Sequence, residues 1–196
     1  GVKFYELSGS QRKLWQNHKT FRQLLEKRQY DVVHLNIFQG LSLYYAYLAK
    51  RYGVPVRIAH GHGAGLRQSK TKQLKLVLHS VAKRLLAENA TEYWACSKLA
   101  AEFMFSKDVV GKCEFIPNGI DVEKFRFNNE LREKVRKDLG IEGKLVIGNI
   151  GRLSNEKNQE YLLKVFVALQ SEMSDSALLL VGEGETKADL QQQAKK

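Results

Sequence analysis

The sequence predicts an α/β fold built on parallel sheets. Three observations carry that prediction. Short β-rich runs alternate with helical periods of roughly 10–15 residues, as in βαβ units. Several of these runs end in glycine-containing turns. One of them, Ala177 to Val181, is apolar at every position, as strands covered on both faces are.

The elements follow in order. Leu14, Trp15, Phe21, Leu24 and Leu25 mark the inner face of a first helix. Asp31 to Asn36 reads as a strand, and Leu41 to Tyr52 as a helix that Gly53 stops from the C′ position. Val54 to His60 is the next strand, with Pro55 at its start, where a missing N–H is tolerated. A glycine-rich loop, Gly61 to Gly65, leads to a long helix from about Lys72 to Glu88. A strand at Tyr93 to Ser97, a helix at Lys98 to Phe105 and a strand at Glu114 to Pro117 follow. The second part begins with a charged helix, Asn129 to Leu139, ended by Gly140. Then come a strand at Lys144 to Ile150, a helix at Gln159 to Glu172, the strand at Ala177 to Val181 and a last helix from Glu185.

The 196 residues are 43% hydrophobic and 27% charged, a globular composition. No apolar run approaches the roughly 20 residues of a membrane-spanning helix. The first residues, Gly1 to Arg12, have neither an initiator Met nor the apolar segment of a signal peptide. The chain is therefore expected to begin inside a longer protein. Two cysteines, Cys96 and Cys113, exclude a disulfide scaffold and suit a reducing cytosol.

The net charge of +11 is unevenly spread: residues 1–128 carry 21 of the 32 Lys/Arg and only 10 of the 21 Asp/Glu. Residues 129–196 are neutral. The break in charge and composition at 125–129 predicts a domain boundary, with one domain over 1–128 and a second over 129–196. Two strands cannot make a parallel sheet covered on both faces, so more chain is expected after Lys196. A basic excess of this kind meets nucleic acid, an anionic membrane or a phosphorylated ligand, or is simply a Lys-rich surface.

Four stretches carry chemistry. Gly148 to Arg152 ends a strand, and Lys157 precedes the next helix. Gly151 lets a ligand approach the backbone. Arg152 and Lys157 set two cations beside a helix N-terminus, which suits a diphosphate. The plainer reading is an ordinary loop with solvated charges. Gly182, Glu183 and Gly184 mark a second strand end, expected to lie across from the Gly151 loop. This Gly-x-Gly has neither the third glycine of a dinucleotide fingerprint nor a P-loop Lys. His60 and His62 lie at another strand end, that of Val54 to His60. With no acid or Cys nearby they read as a general base or an anion-directed donor, not a metal site. The alternative is a glycine loop with merely polar histidines.

The fourth stretch, Arg67 to Arg84, contains Arg67, Lys70, Lys72, Lys75, Lys83 and Arg84 and no acid. Leu74, Val77, Leu78, Val81 and Leu85 recur in it at helical spacing. Such a helix can lie on an anionic membrane. It can equally put its apolar stripe on the protein's own sheet. Both hold together if the basic side faces lipid.

The pieces Tyr30 to His34, Val54 to His60, Ala95 to Ser97, Phe115 to Asp121 with Phe125, Gly151 to Leu153 with Lys157 and Asn158, and Leu179 to Glu185 stand in a specific order. In that order the chain resembles the retaining GT4 glycosyltransferases of GT-B fold, most of all bacterial enzymes that build capsule or exopolysaccharide. The resemblance implies two Rossmann-like domains with parallel sheets, both incomplete here. The acceptor-side domain is 1–128, and 129–196 starts the nucleotide-sugar domain. It places Gly151, Arg152 and Lys157 at the donor diphosphate and Gly182, Glu183 and Gly184 beside the nucleotide. Asn118, Gly119 and Asp121 fall between the domains, and His60 or His62 at the cleft. The implied partners are a nucleotide-sugar donor, UDP-linked, and a lipid-linked or glycan acceptor; the basic stretch itself adds an anionic membrane surface, met through Arg67, Lys70, Lys72 and Lys75. No metal, cofactor or nucleic acid is implied, and the expected location is cytoplasmic, peripheral on the inner membrane face. The family's first strand and glycine loop and its paired glutamates have no counterpart in 1–196, so this piece is expected to be silent alone. Two other functions fit part of the pattern: a nucleotide-sugar 2-epimerase on the same fold, and a basic nucleic-acid-binding module. The latter shows no helix-turn-helix, zinc or RNP signature.

Overall fold

The computed structural model describes residues 14–66 and 70–195. The chain forms two compact units, Gly1–Ile120 and Asp121–Lys196.

The first unit is a four-stranded parallel sheet in the order β1 (Val32–Ile37), β2 (Val56–Gly61), β3 (Glu92–Ala95) and β4 (Glu114–Phe115). Its helices are α1 (Leu14–Lys27), α2 (Tyr44–Arg51), α3 (Lys72–Leu86), α4 (Lys98–Met104) and the short α5 (Lys107–Val110), the last not foreseen from the sequence. A 3₁₀ turn, Gly40–Leu43, leads into α2, and Gly53 ends it at φ 74° as expected for C′. Each strand adds beside its predecessor, so right-handed crossovers lay the connecting helices on one face of the sheet. The packing agrees. Leu35, Ile37, Ala59, Tyr93 and Ala95 cluster with Ala100, Ala101, Met104 and Phe105, and Val33 packs with Leu25, Leu48 and Ala49. Neither cluster draws a strand residue from the opposite face, which carries His34, Asn36, His60 and Trp94. On that opposite face Ile58 and His60 are buried as well, at 8% and 6% exposure.

The second unit pairs β5 (Leu145–Ile150) with β6 (Ser176–Val181) in parallel, from Leu145 opposite Ser176 to Ile150 opposite Val181. Its helices are α6 (Asn129–Asp138), α7 (Gln159–Glu172) and α8 (Lys187–Gln193). The Asn128 side chain caps α6 by accepting from the Leu131 N–H at 2.9 Å, and Gly140 ends that helix at φ 64°.

Two helices depart from the sequence reading. In α1, Leu25 is buried and Phe21 packs beside it, but Trp15 is 80% exposed and only stacks on His18. In α3 the helix is turned over. Leu74, Val77, Leu78, Val81 and Leu85 are 44–63% exposed, while His79 and Ala82 are buried and Lys83 is half-buried. The apolar stripe does not rest on the sheet.

Polar contacts explain the inversion. His79 is 3% exposed, and its ring lies flat on Phe103 at 4.2 Å. Its Nδ1 accepts from the Gly40 N–H at 2.8 Å, and its Nε2 donates to the Phe103 carbonyl at 2.9 Å. The Lys83 ammonium donates to that carbonyl at 3.0 Å. A Cβ on Gly40 would stand 2.5 Å from the His79 carbonyl oxygen, so this glycine lets the 3₁₀ turn touch the helix backbone. The histidine, the lysine and the close approach together fix which side of α3 is inside.

His79→Leu removes both bonds and leaves the Gly40 N–H without its acceptor, so a loss of about 2–3 kcal/mol is expected in urea unfolding. Burial, and secondarily the Lys83 charge, holds the His79 pKa below its ordinary value. The folded state then binds fewer protons than the unfolded chain. The contribution is complete above the unfolded value of about 6.5 and is lost as pH falls below it. His60 is shifted the same way. Unfolding at pH 7.5 and 5.5 should therefore show acid destabilisation that shrinks in His79→Leu without vanishing. An unchanged slope would remove His79 as its source.

Candidate functional site

Past their strands, the β5–α7 and β6–α8 loops stay paired. Gly151 N–H donates to the Val181 carbonyl at 2.9 Å and Leu153 N–H to the Glu183 carbonyl at 3.0 Å. Thr186 N–H reaches the Leu153 carbonyl at 3.3 Å. This brings Gly151 and the turn Gly182-Glu183-Gly184 side by side at the carboxyl ends of the strands, as expected. The glycines have different reasons. A Cβ on Gly182 would fall 1.9 Å from the Gly151 carbonyl oxygen, and one on Gly184 2.0 Å from that of Leu153. Both give the neighbouring loop its room. Nothing lies within 4 Å of a Cβ on Gly151, which leaves an open side there.

The sequence reading missed Gln159, the first residue of α7, which is 1% exposed. Its Nε2 donates to the Arg152 carbonyl at 2.9 Å and to Asn149 Oδ1 at 3.3 Å. Its Oε1 accepts from the Ser154 N–H at 3.3 Å. One amide thus ties the end of β5, the loop and the helix start into one piece. No sequence pattern singles out a glutamine at such a position.

Arg152 and Lys157 are both exposed on this loop. The N–H groups of Lys157 and Asn158 both reach the Ser154 carbonyl, at 3.0 and 3.2 Å. Asn158 adopts a left-handed conformation, φ 51°, and its side chain does not cap α7. The first-turn N–H groups of Gln159 and Glu160 therefore have no side-chain cap from Asn158, and that of Tyr161 donates to the Asn158 carbonyl at 3.1 Å. The acid of that turn, Glu160, is engaged with Lys164 at 2.9 Å. Two exposed cations, a helix start without a side-chain cap and an open glycine make an anion-directed loop. A polar cleft lined by Ser154, Asn155, Asn158, Thr186 and Gln193 adjoins it, where Thr186 Oγ1 is buried without a hydrogen bond.

In the first unit, β1, β2 and β3 bring His34, His60 and Trp94 together on the sheet face opposite the helix-packed Leu35, Ala59 and Tyr93. His60 is 6% exposed; its Nδ1 lies 3.1 Å from His34 Nε2, and the two rings stack. Burial first, then the neighbouring His62 and His34, lowers its pKa, with the Ile116 backbone acting the other way. His60 Nε2 and Trp94 Nε1 are buried without hydrogen bonds. His62 is half-buried, and its Nε2 pairs with Asn36 Oδ1 at 2.8 Å. His62 is thus the histidine able to meet a ligand, and His60 and Asn36 hold it in place. Among the described residues no three His, Cys, Asp or Glu side chains converge on a metal position.

Asn118, Gly119 and Asp121 are exposed on the irregular segment where the two units divide. Asp121 Oδ1 accepts from the Lys124 N–H at 3.2 Å. Of the expected membrane-facing residues, Arg67 lies outside the described residues, Lys70 is exposed and Lys75 is half-buried. Lys72 belongs, at about 100° per residue, to the stripe of His79 and Lys83 and so to the inner side of α3.

A family model described as Glycosyltransferase Family 4 matches residues 1–124. The chain belongs to glycosyltransferase family 4. A second model, Glycosyl transferases group 1, matches residues 131–196. EpsF of Bacillus subtilis (strain 168) is 31% identical over 153 residues, which are 76% of this chain and 40% of EpsF. The UDP-Gal:alpha-D-GlcNAc-diphosphoundecaprenol alpha-1,3-galactosyltransferase of Escherichia coli is 29% identical over 176 residues, 85% of this chain and 44% of that enzyme. The chain therefore spans less than half the length of either relative. Crystal structures of Anabaena Alr3699/HepE, with UDP and with UDP-glucose, match with TM-score 0.67 at 21% and 23% identity. They align over 91% of this chain and 46–47% of their own. The family 4 chain thus has the GT-B type of architecture expected from its sequence: parallel-sheet, Rossmann-like units.

Gly184→Ala is the sharpest test of the loop pairing. The added methyl would meet backbone rather than a movable side chain, so the two loops must part, at a cost of about 1–3 kcal/mol. Hydrogen exchange at the Leu153 and Thr186 amides should rise, with little change in the first unit. Unaltered exchange there would refute the pairing.

Proposed function

We propose that this family 4 protein transfers a sugar from a UDP-sugar to a lipid-linked or glycan acceptor in cell-surface polysaccharide synthesis, with retention at the anomeric carbon. The observation that carries the reading is the loop from Gly151 to Asn158. As the glycosidic bond to the donor breaks, negative charge grows on the leaving diphosphate. Arg152 and Lys157 are placed to stabilise it, and the α7 N-terminus adds its own positive potential. Gln159 holds this backbone before any ligand arrives, so little reorganisation accompanies the reaction. His62, held by Asn36, supplies a hydrogen-bonding imidazole from the acceptor-side unit. The names of the relatives support the choice of partners. The Escherichia coli enzyme is named for UDP-Gal and a diphosphoundecaprenol acceptor, and the Anabaena protein was crystallised with UDP and UDP-glucose. Neither an epimerase nor a nucleic-acid-binding protein stands among these relatives.

The test uses a form of the protein that is active in sugar transfer. Arg152→Ala or Lys157→Ala should each lower kcat by about 10²–10³, the scale for removing one group that stabilises developing charge. Unchanged kcat/KM in both variants would overturn the assignment. The 196-residue chain by itself is expected to show no sustained transfer.

Metal dependence gives a separate check. With two cations at the diphosphate, no Mg²⁺ is required in this reading, and transfer should persist in EDTA. Activity lost in EDTA and restored by Mn²⁺ would show that charge neutralisation at the diphosphate depends on metal.

A further inference from the structure

Trp15 is unexplained by the fold or by the donor loop. Among the described residues its ring is 80% exposed, and it heads a column of near-parallel rings. Trp15 stacks on His18 at 5.2 Å and 16°, His18 on Tyr44 at 5.8 Å and 30°, and Tyr44 on Tyr47 at 6.0 Å and 29°. Polar contacts between α1 and α2 fix the column. The Tyr44 phenol lies 2.9 Å from His18 Nδ1, and Asn17, 7% exposed, is hydrogen-bonded to the Tyr45 phenol. His18, Tyr44 and Tyr47 are half-buried, so Trp15 alone in the column offers a broad free face. The 3₁₀ turn after β1 delivers Tyr44 to the carboxyl end of that strand, and His18 touches Tyr44 there. Trp15 therefore stands at the carboxyl end of the first sheet, the end that also presents His62 just past β2.

We propose that Trp15 is a stacking platform for a pyranose ring of the glycan acceptor, held by the His18–Tyr44–Tyr47 column at the end of the sheet that carries His62. The face of an indole is electron-rich, and one face of a pyranose is a patch of weakly positive C–H groups rimmed by hydroxyls. His18 backs one side of the indole and leaves the other open. The surroundings select a sugar over a wider apolar partner. The face of α1 that carries Trp15 continues, at steps of three and four residues, through Lys19, Arg22 and Glu26. All three are exposed, and Arg22 pairs with Glu26 at 2.8 Å. A single aromatic disc bordered by charged groups matches a ring whose rim is hydroxyls. A stable second copy or a lipid surface needs a broad apolar area, which this face lacks. The proposal deepens the function proposed above and rests on it for the choice of a glycan.

The test is saturation-transfer NMR on the 196-residue chain, with no donor present. The probes are methyl β-galactoside and N,N′-diacetylchitobiose, with sorbitol as an open-chain polyol that has no ring face. Both glycosides should receive saturation at the C–H groups of one ring face, and sorbitol much less. Trp15→Ala should weaken their binding roughly three- to tenfold, and Trp15→Phe less. Because the ring is exposed, circular dichroism and melting of both variants should match the parent. The emission that Trp15→Ala removes should be quenched by acrylamide and protected by the glycosides. No binding by the parent, equal binding by Trp15→Ala, or Trp15 emission shielded from acrylamide without ligand overturns the platform. A concentration-dependent dimer that Trp15→Ala abolishes, with no glycoside bound, overturns it in favour of a second copy. In a form of the protein active in transfer, Trp15→Ala should raise the acceptor KM and leave kcat and the donor KM unchanged. An unchanged acceptor KM overturns the acceptor assignment. Full transfer by Arg152→Ala, with the glycosides still bound at Trp15, would count against the proposed reaction and leave the platform standing.

Discussion

His79 is held at both ring nitrogens, and the arrangement of the first unit depends on that grip. Gly40 donates to one nitrogen and the Phe103 carbonyl accepts from the other, so the imidazole is neutral and locked in one tautomer. The histidine thereby links the 3₁₀ turn before α2, the middle of α3 and the end of α4. Lys83 reinforces the junction from the next turn of α3. Buried polar groups without partners are costly, so a helix that places a histidine and a lysine on one side can satisfy them only by turning that side inward. Its leucines and valines then face out.

The second unit rests on a comparable economy of space. Gly182 and Gly184 allow backbone to lie against backbone where any side chain would collide with the neighbouring loop. That contact sets the β6–α8 turn beside the loop that carries Arg152 and Lys157. Gln159 then secures the loop from the helix side. Charge at the site is local and exposed, whereas its positioning is buried and neutral. The same division recurs in the first unit, where half-buried His62 is oriented by Asn36 and backed by the enclosed His60.

Several parts of this were legible in the residues. Glycine punctuation at Gly53 and Gly140 located helix ends because each position requires positive φ. The bounds of α7 were read without error, since its apolar period and the loop before it are both clear. The adjacency of the Gly151 and Gly182 turns followed from the parallel order of β5 and β6. Other parts were hidden. Short α5 has too few residues to show a period, and Gln159 resembles any polar residue at a helix start. The apolar stripe of α3 suggested its own burial because periodicity reports that a face exists, not what covers it.

The sequence by itself determined the α/β class, the element order, the family and the placement of a cation pair between a strand end and a helix start. These are properties of local order along the chain: hydrophobic period, turn residues, and short motifs in succession. Only the tertiary structure decided that Gly182 and Gly184 make room for a neighbouring loop, that His60 is enclosed while His62 is accessible, and that α3 turns its leucines outward. Each of those outcomes depends on contacts between residues distant in sequence. The physical reason is that a buried hydrogen bond or a backbone collision between distant segments can outweigh the burial preference of a single helix face, and neither is written in that helix's own residues.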